Sequence, residues 1–276
     1  MILTKSYGLQ KETRQYLKRL YAYGRELESS DIIDIDNFID GCKQLNLWEN
    51  IVCWPMRSQY NIGHSSALLS LGGLGRYDGL MYNSPSWSND GIIFNGSSHY
   101  IEFSNPIRSS NIANIGLFAS IDSDATTNGA RSIMSSYSGA GSRGPLFTVA
   151  GSPIQGGSLP WLMFDSTFDG TAVIFPVPGG ALFGGNTSLP ETVSAGYLDG
   201  KRYIEYNNVR SSDLNNVASV FNNNATWRIG ARLDNASYFL GNIAFSLFSN
   251  KGLTSTQYSV LSLLYKTTIG KGLGLP

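Results

Sequence analysis

The chain has 276 residues, with 20 Lys and Arg against 20 Asp and Glu, a formal net charge of zero, and 14% charged residues beside 42% hydrophobic ones. This balance excludes the basic footprint of a nucleic-acid or acidic-lipid binder, and the hydrophobic content excludes a disordered tail. With so few charges, Ser, Thr, Asn and Gly must supply the polar surface, as in a neutral β-protein of one large domain and a small appendage.

In chain order, Met1-Ile2-Leu3-Thr4-Lys5 lacks the apolar stretch of a secretory signal, and no run of about eighteen apolar residues could cross a membrane. Synthesis in a cytoplasm and no membrane insertion are therefore expected. Lys5, Lys11, Arg14, Lys18, Arg19 and Arg25 are interrupted by Glu12, Glu26 and Glu28, which reads as a solvated helix face. Leu9, Tyr16, Leu20, Tyr23 and Leu27 recur on one helical face, weakened at Gly24. Ser29-Ser30-Asp31 is a candidate N-cap cluster for a second helix carrying Ile32, Ile35, Phe38, Ile39, Cys42 and Leu45. Both helices are too short to bury their stripes against each other alone, so they need the β-domain or another chain. Cys42 and Cys53 form no framework and are expected to be reduced and buried.

Between residues 47 and 103, Trp48, Trp54, Tyr60, Tyr77, Tyr82 and Trp87 alternate with Gly and Pro, leaving room for short strands. The strand reading is firm from Ile92–Asn95 and His99–Phe103, joined by Gly96-Ser97-Ser98. Further strands are expected at 115–121, 131–137, 145–150, 161–164, 171–175, 192–198, 201–207, 225–230 and 241–249. Asp199-Gly200 marks a type I′ hairpin. Short strands at regular spacing imply a sandwich or barrel. Thr254-Ser255-Thr256-Gln257 is a capping box that opens a C-terminal helix.

Three stretches resemble the concanavalin A-like, laminin-G-like jelly-roll family. They are Gly91–Phe103, Tyr197-Leu198-Asp199-Gly200-Lys201, and the run from Trp227-Arg228-Ile229-Gly230 through Phe239-Leu240-Gly241-Asn242-Ile243 to Leu253–Gln257. The resemblance implies a mainly β, antiparallel jelly-roll sandwich with a short N-terminal helical segment and a short C-terminal helix. The family often carries an acidic pair after the last of these motifs; here Ala244-Phe245 stands instead. Residues 36–51, with Phe38 and Trp48, are similar to a segment that precedes such jelly rolls in structural proteins of tailed phages.

That second resemblance implies a virion protein, a head decoration, fibre or tail component made in the host cytoplasm. Residues 1–60 would then form a docking and assembly segment, acting through Tyr16, Leu20, Tyr23, Leu27, Ile35, Phe38 and Trp48. Its partners would be capsid or tail proteins and further copies of the chain, with residues 61–276 displaying an adhesive sandwich to host glycans. The alternative is a stand-alone carbohydrate-binding lectin or a degenerate glycanase.

Catalytic patterns are thin. A glycanase needs two facing carboxylates, yet no E-x-D-x-x-E string occurs, and Glu102, Glu191 and Glu205 stand alone. Gly-x-Ser-x-Gly is missing, and His64 and His99 are the only histidines. The chain is therefore read as a non-enzyme without a required cofactor. Asp122 and Asp124 are the candidate calcium ligands, against the reading of a solvated turn. Sugar binding requires an exposed aromatic face beside hydrogen-bonding side chains, and the candidates are Tyr137, Trp161, Asp165, Asp234, Asn235 and Tyr238.

Overall fold

The computed structural model describes residues 8–103, 105, 107, 114–123, 129–138, 143–151, 161–165, 191–206, 209–212 and 225–275. Helices α1 (Lys11–Ala22) and α2 (Ser29–Gln44) come first and α3 (Ser255–Thr267) comes last. Between them the described strands are β1 (Ile51–Pro55), β2 (Ala67–Leu68), β3 (Gly79–Tyr82), β4 (Ser86–Ser88), β5 (Gly91–Asn95), β6 (Tyr100–Phe103), β7 (Ile115–Ser123) and β8 (Gly129–Tyr137). They continue with β9 (Arg143–Gly151), β10 (Trp161–Asp165), β11 (Glu191–Leu198), β12 (Lys201–Tyr206), β13 (Val209–Ser212), β14 (Arg228–Ile229) and β15 (Leu240–Ser249). The strand expected at 171–175 lies outside the described residues.

The strands form two antiparallel sheets, the β-sandwich that the jelly-roll resemblance implies. The first runs β13-β12-β11-β7-β15-β5-β4, with β1 also paired to β15; the second runs β10-β9-β8-β14-β6-β3-β2. Strand β15 pairs with β7 along one edge. Along its other edge it pairs with β5 at Leu240–Ile243 and then with β1 at Phe245–Ser249. A bulge at Ala244 separates the two stretches, and its carbonyl accepts the Met56 N–H at 2.9 Å.

Alternation along the strands sends one set of side chains between the sheets. There Trp54 stacks on Phe103 with centroids 4.3 Å apart, and Trp227 meets Phe248 edge-on at 5.2 Å. Gly230 is required at this core: its φ is +85°, and a Cβ there would lie 2.2 Å from the Phe94 ring.

The other set on the first sheet faces the helices. Phe245 sits at the centre of this second core, 5.5 Å from Phe38, 6.0 Å from Phe118 and 4.9 Å from Tyr265. The molecule is thus three layers: helices, first sheet, second sheet. An acid at Phe245 would be buried beneath the helices, which accounts for the departure from the family pattern at this position. Helices α2 and α3 approach closely at Gly41, where a Cβ would lie 2.6 Å from Leu264.

Two expectations about the N-terminal segment are corrected by this packing. Tyr16, Leu20, Ile35, Phe38 and Trp48, expected at a docking surface, are at most 3% exposed within the chain's own second core. Leu27 packs against that core half-buried, whereas Tyr23 is 44% exposed just beyond α1. The stripes meet sheet residues such as Phe118 and Phe245 because the covering face of the first sheet is equally apolar. The boundary at residue 60 also falls after β1, which is hydrogen-bonded into the first sheet along its whole length.

Local signals behave as physics requires at most ends. Asp199 and Gly200 have φ of 50° and 81°, as a type I′ hairpin needs. Thr254 Oγ1 accepts the Gln257 N–H at 3.1 Å while Gln257 Oε1 accepts the Thr254 N–H at 3.0 Å, completing the capping box. The start of α2 differs: Glu28 is its N-cap, without a side-chain cap bond of its own, and Ser29 and Ser30 lie inside the helix. The start of α1 is capped from a distance, because Asp36 Oδ1 on α2 accepts the Gln10 N–H at 2.8 Å and the Thr13 hydroxyl at 2.5 Å. Cys42 and Cys53 are free and buried, as expected.

Candidate functional site

The face of the second sheet that points away from the core carries an aromatic and charged cluster. It is assembled by register from three strands. Tyr82 on β3 stands opposite Tyr100 on β6, and Leu80 opposite Glu102. Glu102 in turn stands opposite Arg228 on β14, which pairs on its other side with Ser135 on β8. Residues in such a row share one face of the sheet, so Leu80, Tyr82, Tyr100, Glu102 and Arg228 come together.

The rings of Tyr82 and Tyr100 are stacked, with centroids 4.8 Å apart and planes 8° from parallel. The Arg228 guanidinium lies 4.1 Å from the centroid of Tyr100. A layered arrangement of tyrosine, tyrosine and guanidinium results, favoured by offset stacking and by cation–π attraction. Tyr82 is 40% exposed and Leu80 47% exposed.

Arg228 is itself held rigidly. Its Nε donates to Glu102 at 2.7 Å, and its Nη1 donates to the carbonyls of Arg232 and Leu233 at 3.0 and 3.2 Å and to Asn235 Oδ1 at 2.9 Å. These acceptors lie on the loop between β14 and β15, which is bonded back to the sheet. Leu233 N–H donates to the Tyr137 carbonyl at 2.9 Å, and Ser132 N–H to the Ser237 carbonyl at 2.7 Å. Asn235 and Ser237 adopt φ of 58° and 53° to make the loop's turns. The Arg232 guanidinium lies 4.1 Å from the centroid of Tyr137 and pairs with Asp234.

The far end of the stack is also pinned. Asn83 and Ser84, after Tyr82, have φ of 61° and 62°, a tight left-handed turn suited to Asn. The Asn83 amide donates to the Ser98 carbonyl at 2.8 Å. Asn95 Oδ1 accepts the N–H groups of Ser97, Ser98 and His99 at 3.0, 2.9 and 3.1 Å, which shapes the loop before Tyr100. Burial pushes the Tyr100 phenol up; Arg228 opposes this, while Glu102, Tyr82 and Tyr238 add to it.

Of the residues singled out for sugar binding, Tyr137, Asp234, Asn235 and Tyr238 lie on or beside this face. Their parts differ from the expected ones. Tyr137 is only 8% exposed, roofed by Arg232, so its ring offers no open stacking surface. Asn235 is occupied in holding Arg228. Trp161 and Asp165 belong to β10, at the opposite edge of the second sheet from β3, and their side chains lie outside the described residues. Asp124 also lies outside them. Asp122 is in strand β7 opposite Asn242, rather than in a loop. It lines a pocket of about 190 Å³ with Asp90, Ile121, Ala244 and Leu273. Among the described residues no group of three or more His, Cys, Asp or Glu could hold a metal ion. His64 is exposed and His99 half-buried.

No family model matches the chain, and no curated protein matches it. Solved structures resemble it in shape. A mutant of Trypanosoma rangeli sialidase displaying trans-sialidase activity superposes with a TM-score of 0.51 at 11% identity, over 86% of this chain and 39% of that one. A mutant of HCR/D superposes with a TM-score of 0.53 at 9% identity, over 80% of this chain and 53% of that one. Domain 4 of an extracellular arabinanase from Geobacillus stearothermophilus, in complex with arabinotriose, has a TM-score of 0.41 at 15% identity, over 77% of this chain and 87% of that one. The chain therefore spans well under two thirds of the sialidase and of HCR/D, and what it shares with them at such identities is the β-sandwich.

Proposed function

We propose that the chain is a non-catalytic glycan-binding sandwich whose contact surface is the Tyr82–Tyr100 face of the second sheet. The observation that carries this reading is a parallel tyrosine stack, its Tyr82 ring 40% exposed, held from behind by an arginine paired to Glu102. A pyranose ring places axial C–H bonds against an aromatic face, and a rigid face costs little ordering on binding. The neighbouring Glu102, Asp234, Asn83 and Tyr238 supply partners for sugar hydroxyls.

The absence of turnover is supported by the state of the carboxylates on this face. Glu102 is paired with Arg228 and Asp234 with Arg232, so neither stands free as half of a glycosidase pair. The plain alternative is that Tyr82 and Tyr100 only stabilise the sheet as a cross-strand pair. A glycan array probed with the full chain and with Tyr100→Ala separates the two. The proposal expects discrete hits that the variant loses, and it fails if the array is blank or if both proteins give the same hits.

A virion setting would use the same face for adhesion to host glycans. Its specific support is that Tyr21, Tyr23 and Ile33 are exposed by 62%, 44% and 54% on the helical layer. These positions, rather than the buried stripe, would meet capsid or tail proteins or a sister copy, and light scattering that returned only a monomer would count against a homo-oligomer.

A further inference from the structure

Resting on the glycan-binding reading, we infer that this face takes a neutral glycan chain and rejects carboxylated or sulfated ones. Recognition of an anionic sugar uses a guanidinium or ammonium free to form a charge-assisted pair with it. Arg228 and Arg232 on this face are each already ion-paired to a carboxylate. Arg228 spends Nε on Glu102 and Nη1 on three acceptors of the β14–β15 loop, lies against the Tyr100 ring, and has a side chain only 11% exposed. Arg232 pairs with Asp234 and lies against the Tyr137 ring, and its Nε is buried out of a ligand's reach.

The carboxylates are the more accessible members of both pairs. The side chains of Glu102 and Asp234 are 30% and 27% exposed, more than the side chains of the arginines they pair with. An incoming carboxylate or sulfate would therefore meet two carboxylates and would have to compete with them for cations already paired. A neutral sugar meets the same groups favourably, because its hydroxyls donate to carboxylate oxygens. The exposed Tyr82 ring, stacked 8° from parallel on Tyr100, offers the flat apolar contact that a neutral pyranose can cover. Charge and shape on this face thus select for the same class of ligand.

The test uses the full chain and calorimetric titration with two sets of probes. The neutral set is laminarihexaose, maltohexaose and cellohexaose, and the acidic set is sialyllactose and hexagalacturonate. The expected result is binding to at least one neutral probe, unchanged between about 0.05 and about 0.5 M NaCl. Tyr82→Ala should weaken it about tenfold, the loss typical of one aromatic contact. Tyr82 lies on the surface of the sheet, so the variant loses its stacking contact with Tyr100 but should stay folded, which a cooperative thermal transition checks. If an acidic probe binds at least as tightly as every neutral one, and Tyr82→Ala removes that binding, the face is a glycan site of the other charge class. The neutral assignment then falls while the glycan reading stands. If no probe of either class binds the folded chain, or if binding survives both Tyr82→Ala and Tyr100→Ala, both conclusions fall.

Discussion

Replacing Phe245 by Ala tests whether the helices and the sandwich are one cooperative body. Phe245 is fully buried and touches a ring from each outer element of the second core, namely Phe38 on α2, Phe118 on β7 and Tyr265 on α3. Phe-to-Ala changes in a core cost about 3–5 kcal/mol, through lost transfer energy and the cavity left behind. Three facing aromatics cannot collapse into that cavity together, so the upper part of the range is expected. Against a total stability of about 5–15 kcal/mol this is a large fraction. With a urea m-value near 3 kcal/mol/M, the unfolding midpoint should fall by more than about 1 M. The assay is urea unfolding followed both by the far-UV signal of the helices and by tryptophan fluorescence in a Trp48→Phe background, which removes the indole of the second core and leaves Trp54 and Trp227 between the sheets among the reporters. Both signals should shift together as a single transition. A loss below about 1 kcal/mol, or helices melting in a separate earlier step, would refute the shared core.

Asp122 and the Glu205–Arg210 pair give two more tests. Burial first, and the Asp90 charge second, raise the Asp122 pKa above its usual value. A carboxyl raised in the folded state stabilises the fold when protonated, and that contribution is lost as pH rises through the folded pKa. Asp122→Asn should therefore raise the melting temperature at pH 7, with the gain fading as pH falls through the raised folded pKa and gone below about 4, the ordinary aspartate value; a gain independent of pH would contradict the cause assigned. Glu205 is completely buried and its Oε2 accepts from Arg210 Nε at 2.9 Å, while Arg210 Nη2 also donates to the Leu253 carbonyl at 2.7 Å. Arg210→Met strands a buried carboxylate and should cost about 3–5 kcal/mol in denaturant unfolding, most of which Glu205→Leu in the same chain should restore; a single-variant loss below about 1 kcal/mol would show that the pair is open to solvent.

How much of this could be read beforehand depends on the range of each interaction. The capping box at Thr254 and Gln257 and the turn at Asp199-Gly200 are contained within a few residues, and both form as their residue types dictate. The stripe through Ile35, Phe38 and Cys42 correctly marks a buried helix face, but periodicity says nothing about what covers it. The cover is Phe118 and Phe245, residues distant in sequence whose outward alternation looks like any other strand. Ser29-Ser30-Asp31 misleads for a local reason, since Glu28 takes the cap one residue earlier. The candidate face was legible only at its rim, in Asp234, Asn235 and Tyr238. Its centre depends on the register of β3, β6 and β14, which aligns Tyr82 with Tyr100 and Glu102 with Arg228. Tyr100, Glu102 and Arg228 all lie inside the family-like motifs, where they served as marks of fold rather than as candidate contacts.

The edge of β15 shared by β5 and β1 also governs the order in which the chain can be completed during synthesis. Beyond a bridge from Cys53 to Leu71, residues 51–55 pair along their length with residues 245–249, and Arg57 reaches across 212 positions to the Ile269 carbonyl at 3.0 Å. A nascent chain must therefore leave one edge of β1, and the part of the helical stripes that Phe245 and Tyr265 cover, open until residues 245–269 have been made. The long interval between making the first strand and supplying its mate makes this pairing slow to form and leaves apolar surface exposed while the chain is being translated.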